Sequence, residues 1–281
     1  MNKYITRFTD KIIENKLEYM GAVLIEGCKW CGKSTTAKRF SKSVVEFQDP
    51  DKKILYDKIS ATKPSLFLEG DKPRLFDEWQ MYPIVWDSIR SDVDRTGKKG
   101  QYILTGSARP KKDDIMHSGT ARIDKVLMRP MTLYETGDSN GKVSLNDIIE
   151  GKDISGVSDI GFEEIINVMR RGGWPGTLSI TGDNKYKISK DYVESLLDEE
   201  IKTVDGVERD PLKMSALLKS LSRNISTSVS KSTLLEDVKV EFSNEFSRPT
   251  LDNYISALEK LYILEYVPAT NLNLRSKTPL R

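Results

Sequence analysis

Hydrophobic residues in the first half of the chain alternate between short continuous runs and helically spaced stretches. An amphipathic segment at 4–20 predicts a helix, and the apolar run at 21–26 predicts a buried strand. Further strands are predicted at 74–78 and 100–107. Because strands and helices alternate over 21–135, the pattern indicates an α/β fold with a mainly parallel sheet covered on both faces.

The second half of the chain is predicted to be mainly helical and to divide into two further domains. A polar turn at 137–142 separates the first domain, 1–136, from a small helical domain, 137–205. Residues 206–281 form the third predicted domain, in which three helical segments and then a strand at 264–267 are typical of a winged helix.

Composition narrows the class of protein. The 281 residues are 38% hydrophobic and 31% charged, which is typical of a charge-rich globular protein. No apolar run reaches membrane-spanning length and no secretory signal is present, so a cytoplasmic location without membrane contact is expected. The net charge of +2 gives no overall electrostatic case for nucleic acid.

A glycine-rich loop follows the first predicted strand. Residues 27–34 match G-x-x-x-x-G-K-[S/T] between a strand and a helix, which is the context of a phosphate-binding loop rather than of a chance glycine turn. Lys33 would neutralise the β- and γ-phosphates of ATP, and the Ser34 hydroxyl would bind Mg²⁺. The candidate nucleotide-binding residues are Gly27, Cys28, Lys29, Trp30, Cys31, Gly32, Lys33, Ser34 and Thr35.

Two carboxylates follow the next predicted strand. Asp77 at the strand end could hold the Mg²⁺ shell, and Glu78 could act as a general base toward water. Small-molecule kinases need no second carboxylate, because their nucleophile is the substrate. The pair therefore favours an ATPase, although acidic pairs are also common on surfaces.

Three further residues are candidates for the same chemistry. Thr105 or Ser107, where the third strand ends, could sense the γ-phosphate, or could belong to an ordinary turn. Arg122 could stabilise transition-state charge on a neighbouring subunit, or could be a salt-bridged surface residue. His117 is the only histidine and is a poor metal ligand without a second one.

Taken in order, these motifs resemble a family of bacterial and archaeal AAA+ ATPases with an archaeal-ATPase-like core. The resemblance implies a P-loop sheet core, a helical lid, a winged helix, and ATP binding with hydrolysis. The family usually has glycine at the position of Ala121, and similar proteins continue beyond residue 281 into a further domain of unknown function. The matching segments are 29–33, 77–80, 104–107, 117–120 with Arg122, 129–131 and 172–176.

In that family the small helical domain is the lid over the nucleotide. One helix of the lid has Phe162, Ile165, Ile166 and Met169 on one face and is expected to end at the glycine pair 172–173. Arg170 or Arg171 could contact phosphate from this helix, or could occupy a helix C-terminus without touching it. Trp174 and Pro175 could line the adenine pocket.

The two cysteines, Cys28 and Cys31, lie inside the loop at C-x-x-C spacing. No further cysteine is present to complete a metal tetrahedron, so two small loop residues are the simpler interpretation. A second hypothesis is that their oxidation distorts the loop and stops nucleotide binding.

Two functions therefore compete. In the first, ATP hydrolysis moves the lid and the winged helix relative to the core, and an oligomer is needed if Arg122 acts between subunits. In the second, the protein is a nucleotide-gated DNA-binding module with little turnover, whose third winged-helix segment presents Arg248, Thr250 and Asn253 to duplex DNA. A P-loop kinase is disfavoured by Glu78.

Overall fold

The computed structural model describes residues 4–107, 118–242 and 246–267. The chain divides into two compact units, Met1–Asp191 and Tyr192–Arg281. No helix in these described ranges is both long enough and apolar enough to cross a membrane.

The first unit contains a five-stranded parallel sheet in the order β2-β3-β4-β1-β5. This arrangement confirms the α/β class and the parallel sheet expected from the sequence. Parallel strands end at one edge of the sheet, so the residues that follow them gather there. The strands are β1 Ala22–Glu26, β2 Ser43–Glu46, β3 Arg74–Asp77, β4 Tyr102–Gly106 and β5 Ile123–Leu127.

The central strands form because their residues can be buried on both faces. Successive side chains of a strand point to opposite faces, yet Ala22–Ile25 of β1 and all of β4 are buried. Strand β2 is an edge strand in which Val44 is 40% exposed. The core cluster of this unit includes Phe76, Trp79 and Trp86.

Helices connect the strands and make up the rest of the described chain. Helix α1 begins at Phe8, four residues later than the pattern predicts, because the Arg7 N–H instead donates to Asp10 Oδ2 at 3.1 Å. The helices are α1 Phe8–Tyr19, α2 Lys33–Phe40, α3 Lys53–Thr62, α4 Ile84–Thr96, α5 Leu145–Ile149, α6 Phe162–Arg171, α7 Asn184–Ser195, α8 Ile201–Thr203, α9 Pro211–Arg223, α10 Lys231–Phe242 and α11 Arg248–Lys260.

Helix α6 ends where the glycine pair predicts. Gly172 has φ 71°, a left-handed conformation that glycine adopts without a steric penalty. The apolar face of the helix is not covered by described residues, and Phe162 and Met169 remain 77% and 75% exposed. Helical spacing predicts that these side chains share a face; it does not determine what covers that face.

The second unit contains helices α8 to α11 around its own core, which includes Leu217, Phe246 and Leu258. The strand predicted at 264–267 is wrong, since these residues are irregular. The N–H groups of Ile263 and Leu264 instead donate to Leu258 O at 3.0 and 3.3 Å, which closes the C-terminus of α11. Among the described residues, the unit has no strand.

Candidate functional site

The glycine-rich loop joins β1 to α2 at the carboxyl edge of the sheet. A Cβ atom on Gly27 would lie 2.1 Å from Met128 O, so only glycine fits there. Gly32 has φ 103° and directly precedes the first residue of α2. The loop therefore presents its backbone at a helix N-terminus, which is a favourable environment for phosphate.

Lys33 lies within the curve of the loop. Its ammonium group donates to Gly27 O at 2.9 Å and to Cys28 O at 2.8 Å, and the residue is 5% exposed. Both acceptors are uncharged carbonyl oxygens of the backbone. A bound phosphate would offer the same ammonium group a charged acceptor, which makes a stronger hydrogen bond.

A hydroxyl and a carboxylate meet beside the loop. Ser34 Oγ donates to Asp77 Oδ1 at 2.7 Å, and Thr105 Oγ1 donates to the same oxygen. Two protein oxygens completed by water and phosphate are a donor set that suits Mg²⁺. Among the described residues no group of three or more His, Cys, Asp or Glu could hold a metal, so nucleotide phosphates would have to complete the shell.

Glu78 follows β3 in a left-handed conformation with φ 54°. Its N–H donates to Thr105 Oγ1 at 3.2 Å, and its Oε2 accepts bonds from Ser107 Oγ at 3.0 Å and from Gln80 Nε2 at 2.5 Å. Thr105 and Ser107 therefore both reach the acidic pair. Sequence analysis included Gln80 only as part of the matching segment 77–80 and gave it no role. Its spacing of two residues from Glu78 was the signal that could have identified it.

One cavity of about 520 Å³ brings most of these groups together. Glu78 lines it with Lys33 and Ser34, and so do Trp174 and Pro175. The predicted loop and acidic pair thus belong to one site. The remaining lining residues are Lys29, Trp30, Gly32, Thr35, Gln48, Gly176 and Ile188.

A second cavity of about 400 Å³ also has Gly32, Thr35 and Pro175 in its wall. It is lined in addition by apolar side chains, among them Ile5 and Met131. Polar side chains, among them Tyr4 and Arg7, line it as well. A partly apolar cleft next to a candidate phosphate site has features of a nucleobase pocket. Pro175 lines both cavities, and Trp174 lines the one that contains Lys33.

Arg7 ties the loop to the rest of the unit, and sequence reasoning missed it. Its guanidinium group donates to Cys31 O and Arg129 O at 2.8 Å each and to Glu135 Oε1 at 3.0 Å. The Arg7 and Glu135 side chains are each only 5% exposed. These partners lie 24 to 128 residues away, and no local pattern marks such contacts.

Arg122 lies at the opposite edge of the sheet. Its carbonyl accepts a bond from Ala22 N, at the start of β1, whereas the loop follows the end of that strand about 13 Å away. The side chain pairs with Asp94 at 2.6 Å and is 43% exposed. Arg122 therefore cannot reach the nucleotide site of its own subunit. Ala121 before it has φ 64°.

The lid arginines have other partners. Arg171 pairs with Asp138 at 2.5 Å, and the guanidinium of Arg170 lies 4.1 Å from the ring centre of Tyr186. Neither lines the cavity that contains Lys33. That either arginine contacts phosphate therefore stays a prediction. His117 lies outside the described residues.

Cys28 and Cys31 are free, buried thiols within the loop. A hydrogen bond from Cys28, assisted by the Lys33 charge, lowers the pKa of Cys31 to about 7. The pKa of Cys28 is raised by the same hydrogen bond and by burial. The two thiols are thus a contacting pair rather than isolated packing residues.

The proposed DNA-contacting residues at α11 are partly engaged within the second unit. Asn253 Oδ1 accepts a bond from Arg209 Nε at 2.7 Å, and the Thr250 hydroxyl lies 2.8 Å from Ser247 Oγ. Arg248 is exposed and lies 3.5 Å from an Asp252 oxygen. Of the three candidates, Arg248 retains the most freedom to contact a phosphate.

Comparison with known proteins identifies two segments. Residues 20–137 match the model of the AAA domain family, and residues 162–281 match a domain of unknown function, DUF8612. No curated protein is similar enough in sequence to be matched.

Among solved structures, the Walker-type ATPase PABY2304 of Pyrococcus abyssi is similar to this chain with a TM-score of 0.56 and 14% identity. The match covers 92% of this chain and 90% of that one, which shows a shared fold. A DNA replication initiation factor matches over 89% of this chain and 86% of its own, at 13% identity. Its TM-score of 0.31 is too low to support an argument.

Proposed function

We propose that this chain is an ATPase of the archaeal-ATPase-like AAA+ type, which binds ATP with Mg²⁺ and hydrolyses it. The match of residues 20–137 to the AAA domain family and the fold shared with a Walker-type ATPase support this proposal. The observation that carries the proposal is one cavity lined by Lys33, Ser34 and Glu78, with Asp77 bonded to Ser34.

Each group has one role in this proposal. The loop N–H groups and Lys33 bind the β- and γ-phosphates, while the apolar cavity beside Pro175 receives the base. Ser34 and Asp77 hold Mg²⁺, which neutralises phosphate charge when it is bound. Competition between the phosphates and two backbone carbonyls for Lys33 makes nucleotide binding and loop conformation interdependent.

Glu78 is the proposed general base. Its carboxylate accepts the proton of the water that attacks the γ-phosphorus, and the bond to the leaving ADP oxygen breaks. Thr105 links the two acidic residues, because its hydroxyl bonds Asp77 and accepts the Glu78 N–H. Its proposed role is to hold Asp77, beside Mg²⁺, and Glu78, the base, in fixed positions relative to each other.

Arg122 is proposed to act on the nucleotide of a neighbouring subunit, because its place at the opposite sheet edge excludes its own site. Activity then requires a homo-oligomer. Phosphate release per chain should rise with protein concentration in the wild type and stay low and flat in Arg122→Ala. A wild-type rate per chain that is flat over a wide concentration range would count against action between subunits.

Three domains remain part of the proposal: a core at 1–136, a lid at 137–205 and a winged helix at 206–281. Hydrolysis is proposed to move the last two relative to the first. A cytoplasmic location is part of this proposal, since ATP is the proposed substrate and Mg²⁺ the proposed cofactor.

Nucleotide-gated binding of duplex DNA is the second candidate. The observation in its favour is the exposed Arg248 at the start of α11, where a helix N-terminus also favours phosphate. Binding should then be salt-sensitive and weaker in Arg248→Ala. Fluorescence anisotropy with a labelled duplex at low salt tests it, and no binding by the wild type would eliminate it.

ATP binding and phosphate release by the wild type and Lys33→Ala test the main proposal. Trp30 and Trp174 line the cavity, so tryptophan fluorescence should report binding directly. Losing charged hydrogen bonds of about 1.5–3 kcal/mol should weaken binding roughly 10- to 150-fold. Lys98→Ala, at an exposed turn, is the matched control. Equal affinity in Lys33→Ala and the wild type would refute the binding site.

A further inference from the structure

The Glu78 carboxylate is held asymmetrically. Both of its described side-chain donors, Gln80 Nε2 and Ser107 Oγ, contact the same oxygen, Oε2. Within the described ranges no donor contacts Oε1. One oxygen is therefore fixed in place, and the other is left to accept a proton.

Gln80 approaches this carboxylate from the short turn Trp79–Met81, and its own carbonyl is enclosed. Gln80 Oε1 is buried without a hydrogen-bond partner in the described part of the chain. It lies so near the end of β4 that a Cβ on Gly106 would be 3.0 Å away. A buried acceptor without a partner is costly unless a ligand or water satisfies it.

We propose that Gln80 is a positioning residue for ATP hydrolysis, an inference that rests on the function proposed above. Its amide nitrogen holds Oε2, so that Oε1 of Glu78 remains the proton acceptor. Its amide oxygen is enclosed beside the end of β4, and Gln80 does not line the cavity that contains Glu78. Gln80 therefore acts on the position of the Glu78 carboxylate and not by contact with the water.

The left-handed backbone at Glu78 supports this arrangement. Non-glycine residues rarely adopt φ 54°, because the Cβ is crowded by the carbonyl there. The turn after β3 brings position 80 back toward position 78, two residues earlier, and strand geometry would place it farther away. Such conformations persist where the surrounding structure enforces them.

Gln80→Glu tests the proposal, because it preserves shape while replacing the donating amide with a carboxylate. We expect kcat to fall about 10- to 100-fold, below the roughly 10²–10⁴-fold attributed to a general base. KM for ATP and nucleotide affinity should stay within about twofold, since Gln80 does not contact the loop. Gln80→Ala should show the same division between kcat and KM.

A double mutant separates this role from a structural one. In a Glu78→Gln background, Gln80→Glu should cause no further loss, because there is no base left to position. Additive losses would overturn the proposal. So would a rise in kcat in either single Gln80 variant, which would mean that Gln80 restrains Glu78 rather than aligning it.

Controls distinguish failure of this inference from failure of the proposed function. Gln101→Ala removes a glutamine whose side chain donates to Lys99 O before β4, and it should behave as wild type. Wild-type protein that binds ATP but releases no phosphate would overturn hydrolysis itself and the role of Gln80 with it. Normal wild-type turnover with unchanged Gln80→Glu would overturn the role of Gln80 alone.

Discussion

Replacing Arg7 by alanine should destabilise the first unit and weaken nucleotide binding together. The guanidinium group bonds the carbonyl oxygens of Cys31 and Arg129 and pairs with Glu135 in a site where both side chains are 5% exposed. Alanine leaves one buried carboxylate without its cation. It also removes the donor that holds the loop carbonyl.

The size of this destabilisation depends on which hydrogen-bond partners Glu135 retains. Removing one member of a buried ion pair costs about 3–5 kcal/mol. Glu135 keeps bonds from the N–H groups of Phe8 at 2.7 Å and Thr132 at 2.8 Å, so the lower end of that range applies. We therefore expect the free energy of unfolding to fall by about 3 kcal/mol.

The same carboxylate gives this stabilisation a pH dependence. Burial raises the pKa of Glu135, but the Thr132 and Phe8 N–H groups and Arg7 outweigh burial and hold it below its ordinary 4.5. A lowered carboxyl pKa contributes stability above the unfolded value and loses it as pH falls further. The difference between wild type and Arg7→Ala should therefore shrink below about pH 4.5.

Urea unfolding followed by tryptophan fluorescence measures the effect. All four tryptophans lie before residue 192, and Trp79 and Trp86 are in the first-unit core, so the signal reports that unit. The matched control is Arg95→Ala: this side chain is 75% exposed, and its pairing with Asp92 should contribute less than about 1 kcal/mol. If Arg7→Ala costs no more than this control, the reasoning is refuted.

Three further outcomes are expected. Ala121→Gly should raise the unfolding free energy by about 1 kcal/mol, because φ 64° is unfavourable for alanine; calorimetry showing a loss would contradict this. Peroxide should oxidise Cys28 and Cys31 to a disulfide with release of water, and ATP binding should weaken until a thiol reductant restores it. If mass spectrometry confirms the loss of two hydrogen atoms and the affinity for ATP is unchanged, the hypothesis is disproved. Arg209 above all, with Lys260 and the Val207 N–H, lowers the pKa of Asp205, so the second unit should lose stability as pH falls below 3.8. Arg209→Met should reduce that loss in acid titrations followed by circular dichroism, and an unchanged loss would contradict this.

The sequence predicted the strands that are continuous apolar runs and are mostly buried. Strands β1, β3 and β4 are apolar runs bounded by polar or glycine residues, and the structure confirms them within two residues. Strand β2 was not singled out, because an edge strand is covered less and its sequence, SVVE, is half polar. The strand predicted at 264–267 was wrong because the N–H groups of Leu264 and of Ile263 before it cap the C-terminus of α11.

The residues of the candidate site likewise divide into those that the sequence could predict and those that it could not. A phosphate loop has fixed spacing, so Lys33 and Ser34 could be found from sequence alone. Arg7 makes contacts with distant segments that no local pattern marks. The spacing of Gln80 from Glu78 was visible in the sequence, but the left-handed turn that brings their side chains together was not. The order of the motifs along the chain singled out Arg122, but its position at the opposite edge of the sheet could be recognised only from the strand register.

Single-turnover hydrolysis of ATP by Glu78→Gln beside the wild type is the most direct test of the central claim. With protein in excess over ATP and Mg²⁺ present, the account predicts that both bind ATP with equal affinity. The wild type should release phosphate, and the variant should be slower by about 10²–10⁴-fold. Equal rates would contradict the assignment of Glu78 as base, and a wild type that binds ATP without cleaving it would contradict hydrolysis at this site.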